Sequence, residues 1–411
     1  MKRSREDNLL EPAGMKAGRF FKLSAGDLIK LPPGSDIFKL PSREAVVYDP
    51  VSLKFVSQKG RIAIAAFLPP GYTVTYNSAY KEIGKPRKLP LFAYAACALR
   101  HGDIYTAAVR VDVSPCHDSR FMDMRLVETN ARKFLKIFPK NSLIRHLKNC
   151  ALCYGCPNAK NFFLNKYEAP LPTSPSCNAQ CAGCISYQPD GQIRQTQPRI
   201  KFIPSPEEIA QIALFHIKNT KNPIVSFGQG CEGEPLLCAG IIEKAIKLIR
   251  KATSKGVINI NTNASSPEAV ARLFDAGLDS IRVSLNSVRQ KFYTSYYNPM
   301  GYSFGDVAKS IDIAKKKKGF VSINYLTVPG FTDSKDEFTA FKKFLVIYGI
   351  DMIQWRNLNY DPLRYFKEMN IKPNASDMLG IKEIIDLLKK EFPKVRMGYF
   401  NTYEGVNSRR V

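Results

Sequence analysis

The sequence predicts an α/β chain, with a partial (βα)6 parallel-strand barrel, a β-rich N-terminal lobe and a short helical C-terminal extension. Three observations predict it. From about Ala169 onward β-branched runs alternate with amphipathic helical stretches, and repeated β–α units imply a parallel sheet with right-handed crossovers. Before residue 125 the pattern is different, with short β-branched or aromatic runs punctuated by Pro and Gly. A length of 411 residues also exceeds one ordinary core, so two or three lobes are expected.

In chain order, residues 1–125 form the β-rich lobe, with candidate strands AVVYD, KFVS, RIAIAAF, TVTY and IYTAAVRVDV. Residues 126–166 read as a more helical connecting segment that carries Cys150, Cys153 and Cys156. The barrel follows over 167–361, with a first strand near 169–174 and others at 223–227, 257–261, 280–285, 320–328 and 351–355. Ser205-Pro206-Glu207-Glu208 opens the first barrel helix as a capping box with Pro at its first position. A second helix spans about 236–254, Ser266-Pro267 starts a third, and 305–318 and 335–347 give two more. Residues 362–411 are the C-terminal α/β extension. In such a barrel, ligands sit at the C-terminal ends of the strands.

Hydrophobic content of 45% and charged content of 24% are those of a soluble globular chain. The N-terminus, MKRSREDNLL, lacks the apolar core of a signal peptide, and the stretch 89–99 is too short to span a bilayer. A cytoplasmic protein without membrane contact is expected. A net charge of +25 is compatible with a polyanionic partner such as RNA, or with an anionic substrate, and equally with a solvated basic surface. The run Lys315 to Lys318 has a local reading, as cations at a helix C-terminus closed by Gly319.

In a reducing compartment ten cysteines are not a disulfide framework, and six of them fall in two tight triplets. SPSCNAQCAGCISY places Cys177, Cys181 and Cys184 in a C-x3-C-x2-C arrangement just past the first barrel strand. Three thiolates this close can bind three irons of a cubane cluster and leave the fourth iron open. A structural zinc site would want a fourth protein ligand, and no second C-x2-C follows.

At these residues the sequence resembles the radical S-adenosylmethionine (radical SAM) superfamily. The resemblance implies an enzyme whose [4Fe-4S] cluster binds S-adenosylmethionine at the open iron. One electron then releases methionine and a 5′-deoxyadenosyl radical that abstracts hydrogen from a substrate. It also implies an electron donor such as flavodoxin or ferredoxin. Gly183 departs from the family pattern, which has an aromatic residue there, and this leaves Ile185 or Tyr187 for the adenine contact.

The second strand runs into Gly228-Gln229-Gly230-Cys231-Glu232-Gly233, a literal G-x-G-x-x-G. A dinucleotide fold would need a carboxylate at the tip of the next strand, where Asn259-Ile260-Asn261-Thr262-Asn263 stands. Gly233-Glu234-Pro235 instead resembles the family's glycine–glutamate motif, and the resemblance assigns Gly233 and Glu234 to the methionyl ammonium. It likewise assigns Asn263 at the third strand end, and Ser284 and Asn286 at the fourth, to cofactor contacts; taken alone, each is as readily a strand-end cap. Val328 to Phe331 and Trp355 to Asn359 bring bulk, a cation and amides to the barrel mouth, where Arg356 suits a substrate carboxylate or phosphate or a salt bridge.

Cys150, Cys153 and Cys156, followed by Pro157, match the first three ligands of a ferredoxin run, with Lys160 at the fourth position. A remote ligand, Cys116, His117 or Cys97, would complete a second iron–sulfur cluster, or one of its irons would stay open; otherwise these are buried free thiols. Cys231 reads as a ligand, a radical-bearing residue or a packed core thiol. The resemblance covers about half the chain and also extends to bacterial proteins known only as radical SAM proteins, so it brings no substrate. The rival readings are a non-catalytic zinc or iron–sulfur protein and an RNA-modifying or RNA-binding protein.

Overall fold

The computed structural model describes residues 10–189, 191–372 and 374–407. The charged N-terminal segment, apart from its last residue Leu10, lies outside them.

In the N-terminal lobe the runs AVVYD, KFVS and RIAIAAF belong to two long antiparallel strands, Asp36–Asp49 and Lys54–Phe67. Sequence punctuation at Gln58-Lys59-Gly60 marks a bulge within one strand. The register jumps between Val46↔Ser57 and Glu44↔Ile62, and the Glu44 carboxylate closes the bulge by accepting from Ser57 Oγ at 2.7 Å and Gly60 N at 3.1 Å. Gly60 supplies the positive φ, 75°, that this irregularity needs.

Three helices then lead into the barrel, α1 (Met124–Ile137), α2 (Ser142–Leu152) and α3 (Pro157–Phe163). Asp123 and Asn141 cap the first two by accepting from backbone N–H groups in the first turn.

The barrel sheet has seven parallel strands in sequential order: Glu168–Pro170, Ile224–Phe227, Val257–Thr262, Ser280–Leu285, Phe320–Thr327, Met352–Asn357 and Arg396–Gly398. Six were expected. The seventh comes from the C-terminal α/β extension and pairs Arg396–Gly398 with Met352–Gln354. Three residues with one large apolar side chain carry no periodic signal, so pairing alone makes them a strand.

Between the strands lie α4 (Pro206–Asn219), α5 (Ala239–Ala252), α6 (Pro267–Ala276), α7 (Gln290–Tyr297), α8 (Phe304–Lys316) and α9 (Lys335–Tyr348), followed by α10 (Pro362–Glu368) and α11 (Ile381–Glu391). The Ser205 capping box is present as expected, with Ser205 Oγ accepting from Glu208 N at 3.2 Å. The end of α8 differs from expectation. Lys318, not Gly319, takes the left-handed conformation (φ 59°), and Gly319 N donates to Ala314 O at 2.8 Å. Glycine is needed at 319 because a Cβ there would overlap the Phe274 ring. Among the described residues no helix is long and apolar enough to cross a membrane.

Both faces of the sheet are covered, so all six residues of the third strand are buried. The outer face packs on the helices through Ile258, Ile260, Ile281 and Val283. The inner face is a polar ladder. Asn259 Nδ2 donates to Ser226 Oγ at 3.2 Å and to Asn261 Oδ1 at 2.8 Å, while Ser280 Oγ donates to Asn259 Oδ1 at 2.8 Å. An interior of this kind is built to receive a polar ligand.

His216 of α4 is buried against the first strand, its Nε2 3.2 Å from Tyr167 O and its Nδ1 3.2 Å from Thr220 Oγ1. Burial pushes its pKa down to about 4. A depressed histidine makes the unfolded chain the better proton binder between about pH 6.5 and 4, so stability falls as pH drops through that window. Replacing His216 with Gln should flatten this slope in urea melts, removing a pH-dependent contribution of up to about 3 kcal/mol. An unchanged slope would mean that His216 takes up its proton equally in the folded and the unfolded chain.

Candidate active site

At the C-terminal ends of the strands lies a cavity of about 460 Å³. Cys177, Cys181 and Cys184 line it, as do Gly233, Glu234, Asn263 and Ser284. The predicted strand ends therefore converge on one space. Asn286 does not join them. It is fully buried beyond the fourth strand, and its Nδ2 donates to Phe292 O and Tyr365 Oη, both at 3.1 Å. Period-two alternation fails there because the strand ends at Leu285 and the chain turns.

The cysteine loop has its shape because a second loop is zipped against it. Gly233 N donates to Ser174 O at 2.7 Å and Glu234 N to Ser176 O at 2.8 Å. A Cβ on Gly233 would overlap Ser176 O, which explains the glycine. Glu232, unremarked in the sequence beyond its place in the glycine motif, is the main tie. Its carboxylate is buried and accepts from Thr173 N at 2.7 Å, Ser174 N at 3.0 Å and Gln229 N at 2.6 Å. Burial nonetheless pushes its pKa up to about 7.

Glu234 is held in the same way. It accepts from Thr262 Oγ1, from Leu236 N at 3.0 Å and from Asn263 N at 2.8 Å, and burial pushes its pKa up to about 7. A desolvated carboxylate facing a cavity suits an ammonium group. The Asn263 side chain faces the cysteine loop, with Nδ2 donating to Asn178 Oδ1 at 2.8 Å.

Burial raises the thiol pKa of Cys177 and drives that of Cys181 well above the ordinary range. Thiolates at such positions need a cation beside them, as iron supplies. Cys184 Sγ has a different setting, 3.6 Å from both Ser186 Oγ and Arg199 Nη2. Arg199, which the sequence did not single out, also donates to Ser186 Oγ at 3.1 Å and stacks on Tyr187 at 5.1 Å. Removing its charge by Arg199→Gln should lower the reduction potential of a cluster held here, because a nearby cation favours the added electron. A redox titration followed by electron paramagnetic resonance reads the shift, and an unchanged or raised potential contradicts it.

Of the two residues expected at the adenine, Ile185 lines the cavity and Tyr187 is exposed. The missing aromatic at Gly183 is replaced from elsewhere. A Cβ at Gly183 would come within 2.8 Å of Tyr296 Oη, so this α7 tyrosine occupies the space. Tyr296 and Tyr297 both line the cavity.

The far wall is basic. Arg282, Asn324 and Arg356 rise from three adjacent strands, Arg282 and Arg356 flanking the Ser284↔Asn324 pair. Arg282 Nη1 donates to Gln354 Oε1 at 3.1 Å, and Arg356 stacks on Tyr399 at 4.0 Å. Among the described residues neither guanidinium has a carboxylate within ion-pair distance, and both Nε atoms and Asn324 Oδ1 are buried without partners. Deep burial, and next the Arg356 charge, push Arg282 down to about 9. Arg282 was legible two positions before Ser284 on the same strand face, but strand position alone does not say that a cation lacks its counter-ion.

The first cysteine triplet does not assemble as a ferredoxin run. Cys153 is exposed, Cys156 lines the cavity, and Cys150 turns to a different set, in which His146 Nε2 lies 3.4 Å from Cys150 Sγ and 3.3 Å from Cys231 Sγ. Of the proposed remote ligands, Cys97 packs in the N-terminal lobe, Cys116 is a buried thiol whose carbonyl accepts from Asn161 Nδ2 at 2.7 Å, and His117 lines the cavity with Cys156, its Nε2 2.6 Å from Asn158 Oδ1.

The Radical SAM superfamily model matches residues 171–342. The FeMo cofactor biosynthesis protein NifB of Klebsiella pneumoniae is 26% identical over 179 residues, 40% of this chain; the chain thus spans 38% of that relative's length. Among solved structures, anSMEcpe with bound AdoMet is 14% identical with a TM-score of 0.40, covering 56% of this chain and 62% of that one. Methylornithine synthase (PylB) is 17% identical with a TM-score of 0.40, covering 68% and 77%.

Proposed function

Residues 171–342 match the Radical SAM superfamily model, and from that premise we propose that this chain is a radical SAM enzyme that uses S-adenosylmethionine to abstract hydrogen from a small anionic substrate. The observation that carries this reading is the shared cavity, lined by three cysteines and by two arginines whose buried Nε donors have no partner.

Cys177, Cys181 and Cys184 would hold a [4Fe-4S] cluster. Bound there together with S-adenosylmethionine, such a cluster would supply the one-electron reductive cleavage chemistry that yields a hydrogen-abstracting radical. The protein's own residues do the positioning. Glu234, kept in place by Thr262 and Asn263, is the acceptor for the cofactor's ammonium group. Gly233 keeps the two loops in register, and Ser284 offers a hydroxyl between the cofactor and the basic wall. Tyr296 and Ile185 supply the apolar surface for the adenine. A small one-electron carrier of the flavodoxin or ferredoxin kind is the expected reductant.

The test is anaerobic reconstitution with iron and sulfide, reduction, and addition of S-adenosylmethionine. Formation of 5′-deoxyadenosine and methionine is expected. Iron-loaded, reduced protein that forms neither would overturn the enzyme reading, as would stoichiometric zinc without iron.

Arg282, Asn324 and Arg356 support a substrate bearing a carboxylate or phosphate, since guanidinium groups bind such oxygens through paired N–H donors. The sole tryptophan, Trp355, adjoins Arg356 and gives an intrinsic reporter in cluster-free protein. Titration with phosphate or acetate should give a saturable fluorescence change. Arg282→Gln or Arg356→Gln should weaken this binding by roughly 10- to 150-fold, the worth of a charge-assisted contact of about 1.5–3 kcal/mol. Equal affinity in all three proteins removes the anionic substrate while leaving cofactor cleavage untouched.

A further inference from the structure

We propose that His146, Cys150 and Cys231 form a second metal centre that holds a single thiophilic divalent ion, Zn2+ or Fe2+. The ligands come from two segments far apart in the chain. His146 and Cys150 stand four residues apart on α2 and so share one helix face. Cys231 comes from the loop after the second barrel strand, where its carbonyl accepts from Ile200 N at 2.8 Å. The imidazole Nε2 and the two Sγ atoms all lie within 4.8 Å of one another, and among the described residues this is the one such set of three or more.

The distances fit one ion. With metal–sulfur bonds near about 2.3 Å and metal–nitrogen bonds near about 2.0 Å, a tetrahedral centre puts nitrogen and sulfur ligands roughly 3.5 Å apart. Here the two nitrogen–sulfur separations are 3.3 and 3.4 Å. The cysteines of a cubane bind separate irons and stand wider, as Cys177, Cys181 and Cys184 do by not forming so tight a set. Two thiolates and an imidazole are soft to borderline donors that select zinc or ferrous iron over magnesium or calcium. Both thiols are almost fully enclosed, at 2% and 4% exposure, so a bound ion would be shielded from exchange.

The position gives the centre a task. Cys231 lies between Gly230 and Glu232, in the loop that ties down the cysteine motif and carries Glu234. An ion bridging this loop to α2 would brace the cofactor loop from behind, without lining the cavity itself. Two thiols and a histidine packed without metal would account for the proximity, as would a Cys150–Cys231 disulfide, and both are outcomes of the test.

The experiment uses full-length protein with Cys177, Cys181 and Cys184 all changed to Ala, so the catalytic centre cannot contribute and the outcome is independent of S-adenosylmethionine chemistry. After anaerobic purification, metal analysis should find about one equivalent of zinc or iron per chain. Replacing that ion with Co2+ should produce thiolate-to-cobalt charge-transfer absorption. His146→Gln, at a half-buried position, and Cys231→Ser should each lose the equivalent and the absorption, whereas Cys153→Ala should keep both. The Co2+ titration of the parent protein needs no further variant and guards against misfolding. Metal-free parent protein that gives no cobalt–thiolate band, a persistent Cys150–Cys231 disulfide, or metal retained in the His146 and Cys231 variants would overturn the proposal.

Discussion

Changing any one of Cys177, Cys181 and Cys184 to Ala is expected to reduce 5′-deoxyadenosine formation by at least about a thousandfold, equivalent to roughly 4 kcal/mol of barrier. The three positions are not redundant, because each sulfur would take a different iron and all three line the same cavity. Burial already disfavours free thiolates at Cys177 and Cys181, so an iron lost from one corner is not replaced by solvent-stabilised charge elsewhere. Chromatography of the reduced reaction, together with iron and sulfide content, reads both losses. Single variants that retain full iron and cleave the cofactor at the parent rate would remove these residues from the chemistry. Arg199→Gln is the informative contrast, since it leaves the ligands and alters only the charge beside Cys184.

The second large effect is expected at Glu232, which touches no reacting group. Glu232→Ala leaves two buried backbone donors, at Thr173 and Ser174, and a half-buried one at Gln229 without their acceptor. At about 1–3 kcal/mol for each buried donor the cost is roughly 2–6 kcal/mol, a large share of the stability of a domain. The variant should unfold at much lower urea and bind iron poorly, because the loop bearing Cys177 loses its anchor. Glu232→Gln keeps a carbonyl oxygen for two of the donors but turns an amide N–H toward the third, so an intermediate loss is expected. Urea melts of the cluster-free proteins measure the difference. A Glu232→Ala midpoint indistinguishable from the parent would show that the loops hold each other by backbone pairing alone.

The local motifs were legible because they are local. Cys177, Cys181 and Cys184 lie within eight residues, and a thiolate set this dense has few meanings in any fold. The Ser205 box, the alternation of strands and helices and the position of Gly233-Glu234 after the second strand are also short-range signals. Each is present in the structure. Asn286 was misplaced by extending strand alternation one residue past the strand's end. The first triplet shows a related limit of spacing. Spacing suggested that Cys150, Cys153 and Cys156 act as one set, yet the end of α2 leaves Cys153 exposed and sends the other two to different neighbours.

What the sequence determined by itself was therefore the barrel's β–α rhythm, the three-cysteine motif and the glutamate loop that follows the second strand. Only the tertiary structure decided which distant residues meet there. It brought Arg282 and Arg356 to one wall with their Nε donors unpartnered, set Tyr296 into the space left by Gly183, and joined His146 and Cys150 to Cys231. The physical reason is range: capping and periodicity are energies between neighbours in the chain, whereas desolvation and charge pairing depend on which segments the folded sheet brings together.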